Sequence, residues 1–167
     1  MFTSIAAFEQ TWGHESASTL KIFEALTDAS LQQEVTPQDR TLGRIAWHIT
    51  TTLHEMLSRT GLDFAPTEHE DQVPETAKEI LDAYRTGSEA LISAIKTQWT
   101  DANLLEKVDM YGEQWPNGVT LQILISHQTH HRGQMTILMR QAGLNVPGVY
   151  GPSRDEWSLM GMEPPAV

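Results

Sequence analysis

His127 and His131 stand four residues apart in the string ISHQTHHRGQMTILMRQAG. In a helix that spacing puts two imidazoles on one face, about 6 Å apart along the axis. Two nitrogens so placed can bind one metal ion. His130 lies three residues after His127, so on spacing alone it could replace His131. A third nitrogen must come from elsewhere, and His48 in RIAWHITTTLHEM is the best candidate, because Ile45 and Ile49 beside it point to an inward-facing position. Buried imidazoles without partners are costly, and a shared ion satisfies them together. The opposing reading is that these histidines are exposed or bonded to nearby carboxylates, since H-x-x-x-H also arises in helices by chance.

Three neutral imidazoles suit Zn2+ or Ni2+ better than Mg2+ or Ca2+. They also leave at least one position on the ion open, as in catalytic rather than structural zinc. Other metal schemes fail on inspection: H-E-x-x-H and E-x-x-H are both absent, and there is no cysteine to supply a thiolate. His54 lies about 240° round the helix from His48 and faces elsewhere. His69, in the acidic string PTEHEDQ, reads as a surface residue. Glu55 returns to the His48 face seven residues on; it is either an outer-sphere acceptor or fourth ligand, or a solvated charge near the helix end. Gln134 is placed to hydrogen-bond to the site. Arg132 is offset by about 100° from His131 and is expected to meet a carboxylate at the rim. Gly133, on the far side of the helix, is expected to admit close approach of another helix, from this chain or a second subunit.

Four segments with helical periodicity must position these residues. They run from about Ile5 to Leu26, from Pro37 or Leu42 to Arg59, from Ala77 to Trp99, and from Leu121 to Ala142. Thr36-Pro37-Gln38-Asp39 resembles a capping box, with Thr41 as the alternative cap of the second helix; Thr76 and Glu79 form the S/T-x-x-E signature of the third. Gly143 closes the fourth. No stretch alternates in the manner of a strand, so no sheet is expected. The sequence therefore predicts one all-α domain over residues 1–167, a four-helix bundle with long linkers at 60–75 and 100–119. A Gly/Pro-rich tail carrying Tyr150, Trp157 and Leu159 is expected to pack back on the body.

Acidic residues outnumber basic ones 22 to 11, a formal net charge of −11. Such a surface repels phosphate backbones, so no nucleic-acid partner is expected. It argues equally against an anionic membrane, and no apolar run is long enough to span one. The opening MFTSIAAFEQ has no basic region before its apolar residues and does not read as a signal peptide. A cytoplasmic protein is the expectation.

The string SHQTHHRGQMTILMRQAG closely resembles the last helix of the DinB/YfiT-like metalloprotein superfamily, whose members read H-x-x-x-H-R-G-Q there. LGRIAWHITTTLHEML is similar to the earlier helix that carries a single His, and PGVYGPSRDEW resembles the segment after the last helix. The resemblance covers nearly the whole chain in helix order. It implies an up-down-down-up four-helix bundle, often a homodimer, with zinc or nickel held by His48, His127 and His131, which leaves His130 as a neighbour. Some members are thiol S-transferases that use low-molecular-weight thiols such as bacillithiol or mycothiol. On that reading Gln134, His14 and Trp12 shape the substrate pocket, and Arg44, Arg132 and Arg154 are the cations available to a carboxylate-bearing thiol. A non-enzymatic metal- or ligand-binding dimer, or a metal-dependent hydrolase, is the alternative.

Overall fold

The computed structural model describes residues 1–166. Its main elements are α1 (Ile5–Glu24), α2 (Leu42–Ser58), α3 (Ala77–Gln98) and α4 (Asn117–Gln141). Each start has a local cause. Thr41, not Thr36, caps α2, its hydroxyl accepting from the Arg44 N–H at 3.2 Å. Thr36 and Asp39 instead close a turn in the loop ahead of it. Thr76 and Glu79 form a reciprocal capping box on α3. Ser4 makes no side-chain cap on α1, and the carboxylate of Asp101 accepts from the Ile5 N–H at 2.8 Å in its place.

The four helices pack in a ring of contacts, with α1 and α2 each lying against both α3 and α4. Phe8, Trp12, Ile22 and Phe23 from α1 meet Ile49, Leu53, Ile80, Tyr84, Leu91, Leu121 and Leu124 in one buried core. Burial of such side chains contributes about 1.5–3 kcal/mol each and is the main force holding α2 against α4.

The expectation of no sheet is wrong. Within the segment read as a linker, strands β1 (Lys107–Met110) and β2 (Glu113–Pro116) pair antiparallel, Met110 opposite Glu113. The two-residue turn is Tyr111-Gly112, with φ of 59° and 89°. Positive φ at both positions matches the twist of a tight hairpin, and glycine normally supplies it. Strands of four residues are too short to alternate convincingly, and a tyrosine in left-handed backbone hides the turn. A short 3₁₀ turn at Asp101–Leu105 fills more of the same segment.

The fourth helix also begins earlier than its apolar pattern suggests, at Asn117 rather than Leu121. Asn117 donates its side-chain amide to the Asn103 carbonyl at 3.0 Å. Gly118 is needed beside it, because a Cβ there would collide with the Phe2 carbonyl.

The segment between α2 and α3 is pinned by the Trp47 indole N–H, which donates to the Glu70 carbonyl at 3.0 Å. After α4, Val146 is buried and Tyr150 reaches back to α1 and α4 through its hydroxyl. Leu159, expected to pack, is instead 84% exposed.

Candidate metal centre

His48 projects from α2 and His127 and His131 from α4, the two helices that pack against one another. The Nε2 atoms of His48 and His127 are 3.0 Å apart, and those of His131 and His127 are 3.1 Å apart. Two nitrogens each about 2.0–2.1 Å from one ion, at angles of about 90–110°, stand about 2.9–3.4 Å from each other. Each of these two pairs is spaced as neighbouring ligands of one ion, and the three ligand nitrogens all lie within 4.8 Å of one another. Among the described residues these histidines form a group of side chains able to hold a metal.

The protons are arranged for the same purpose. The Nδ1 of His131 lies 2.7 Å from the Gln134 side-chain oxygen, which can only accept, so Nδ1 carries the hydrogen and the Nε2 lone pair faces inward. His48 and His127 are half-buried and His131 is buried. Burial, the Arg40 charge and the neighbouring imidazoles lower the pKa of His48 to about 4. Burial and the neighbouring His131 and His130 bring His127 to about 4 as well. His131 is lowered too, chiefly by burial, with the Gln134 hydrogen bond opposing. At neutral pH the cluster therefore presents three uncharged nitrogens, the form that binds metal. The Nδ1 of His127 is buried and has no hydrogen-bond partner among the described residues.

A cavity of about 570 Å³ opens beside the cluster, with His131 and Gln134 in its wall together with Val35, Arg40, Ile45 and Ile137. Gln134 thus touches both an imidazole and the cavity. The other residues expected to shape a pocket lie elsewhere. Trp12 is buried in the core, its indole N–H donating to the Ser88 hydroxyl at 3.1 Å. His14 is exposed on α1, and neither residue lines this cavity. Glu55 makes no hydrogen bond to an imidazole; it accepts from Arg59 at 2.9 Å and from the Tyr111 hydroxyl at 2.8 Å. His130 is exposed and outside the cluster, while His54 lies near Glu70.

Arg132 departs most from its expected place. It is 2% exposed and pairs with the Glu15 carboxylate inside the protein, not at a rim. It also donates to the Glu15 carbonyl at 2.7 Å, to Thr19 at 3.0 Å and to the Tyr150 hydroxyl at 2.6 Å. Arg44 and Arg154 are exposed and line no part of the cavity. The cation that does line it is Arg40, which lies in the loop before α2, where no periodicity or motif singles it out.

A protein of Bacillus subtilis (strain 168), the uncharacterized protein YrdA, is 48% identical over the full length of both chains. The crystal structure of a DinB-like protein from Bacillus cereus ATCC 10987 superposes with a TM-score of 0.87 at 49% identity, covering 90% of this chain and 100% of that one. A second DinB-like protein, YjoA of Bacillus subtilis, shares the fold at a TM-score of 0.66 and 19% identity, over 84% of this chain and 96% of that one. The sequence model of the DinB family matches residues 1–165. A match over nearly the whole chain, joined to that fold, places this protein in the DinB family.

Proposed function

We propose that the protein binds one zinc or nickel ion through His48, His127 and His131 and uses it as a thiol S-transferase. The observation that carries this reading is the opening of a cavity directly onto one of three converging, uncharged imidazoles. When bound, such an ion supplies a Lewis-acidic position that favours thiolate over thiol at neutral pH. The protein's own groups do the rest. Gln134 holds the His131 ring in one tautomer and orientation. Val35, Ile45 and Ile137 give the cavity an apolar wall against which an electrophile can pack. The thiol proton leaves to solvent, sulfur forms the new bond to carbon, and the leaving group departs with its bonding pair.

In the same reading the four helices form an up-down-down-up bundle, and two copies associate. Gly133 supports the second point, since among the described residues nothing beyond its own stretch of helix lies within 4 Å of where its Cβ would stand. Ile123 and Ile137 on the same helix are 39% and 55% exposed.

The second reading is a metal- or ligand-binding protein without turnover. It is favoured by the engagement of Glu55, the carboxylate on the His48 face of its helix, with Arg59 and Tyr111. Turnover of a chromogenic alkyl or aryl halide with a panel of low-molecular-weight thiols separates the two. Thiol-dependent turnover that needs the ion and disappears in His127→Ala supports the transferase. Metal-replete protein that neither binds a thiol nor turns over any halide supports the second reading.

A further inference from the structure

We infer that Arg40 makes the cavity beside the three imidazoles selective for small ligands that carry a carboxylate on a short apolar chain. The cavity wall is apolar at Val35, Ile45, Ile137 and Leu138, and Arg40 is the one cation among its lining residues. Among the described residues no carboxylate lies within salt-bridge distance of Arg40, as for Arg44 and Arg140, but of these three only Arg40 lines the cavity.

The other polar groups of the wall are consistent with one anion. Asp39 also lines the cavity, but its carboxylate accepts from the Thr36 hydroxyl at 2.8 Å. Gln134 turns its side-chain oxygen to His131, and its amide N–H groups have no partner among the described residues, so they remain donors for a ligand. One planar guanidinium matches a carboxylate through two parallel hydrogen bonds. A dianionic phosphate would meet a single cation beside Asp39 in a strongly acidic protein, so the monoanion is favoured.

The inference rests on the thiol reading only for which end of the ligand faces the imidazoles, and the test separates the two. Cobalt-loaded protein is titrated with ω-mercaptocarboxylic acids and with ω-mercaptoalcohols of equal chain length. The sulfur-to-cobalt charge-transfer band reports thiolate at the ion, and calorimetry reports the affinity of each ligand. Arg40→Gln is titrated in parallel; Arg40 is exposed and makes no side-chain hydrogen bond among the described residues, so the variant should fold and load metal normally. The acids should bind about fivefold more tightly than the alcohols, the scale of an ion pair at a solvent-accessible site. That preference should vanish in Arg40→Gln with alcohol affinity unchanged. A band with equal affinities, or a preference that survives Arg40→Gln, overturns the role of Arg40 and leaves the thiol reading intact. An Arg40-dependent preference for acids with no band sustains the role of Arg40 and overturns the thiol reading. Neither band nor preference overturns both.

Discussion

His48 Nε2 stands 3.0 Å from His127 Nε2, although 79 residues separate them in the chain. Nothing local to either residue brings them together. The contact exists because α2 and α4 bury apolar stripes against one another, and each stripe carries an imidazole at matching height. Three nitrogen lone pairs cannot satisfy one another, whereas a cation at their focus satisfies all three.

Acid should destabilise the metal-free protein through these rings. In the unfolded chain each imidazole titrates near 6.5, while His48 and His127 in the fold titrate near 4. Between those values the unfolded chain takes up more protons than the folded one, so stability falls as pH drops through that window. Thermal melts of the apo protein from pH 7 to 4 should show this loss. His127→Gln removes one such group and should flatten the profile relative to wild type; identical slopes would contradict the buried neutral cluster.

Gln134 should act on metal affinity rather than on folding. Replacing it with Leu frees His131 Nδ1 and the ring orientation, and loss of such an outer hydrogen bond typically weakens binding about 10–100-fold. Competition against a chromophoric chelator measures this, and Gln134→Glu, which keeps the acceptor, should restore most of the affinity.

Arg132 and Glu15 form a buried pair that the function does not use. Breaking it with Arg132→Met leaves Glu15 charged and unpaired, at a cost of about 3–5 kcal/mol. Urea denaturation should show that loss, with much of it recovered in the double variant Arg132→Met/Glu15→Leu, where no charge is left stranded. Metal content should stay unchanged in both.

Much of this architecture is legible in the sequence, and what is not has particular causes. The grouping of His127 with His131 follows from one turn of helix, and the apolar neighbours of His48 turn it inward. Those are local periodic signals. The Tyr111-Gly112 hairpin is hidden by strands of four residues and a non-glycine residue at positive φ. Arg132 follows His131 by one residue, so its direction is readable, but not that α1 lies there with Glu15. No local signal says which way α1 turns Trp12 and His14; packing turns Trp12 to Ser88 and leaves His14 in solvent. Arg40 sits in an irregular loop, where only the folded chain shows what it approaches.

Metal analysis of untagged protein tests the central claim most directly. Wild type should carry one divalent ion per chain, and His48→Ala, His127→Ala and His131→Ala should each lose it while His130→Ala and His54→Ala keep it. Full metal in the first three variants, with loss in His130→Ala or His54→Ala, would contradict the three-histidine site.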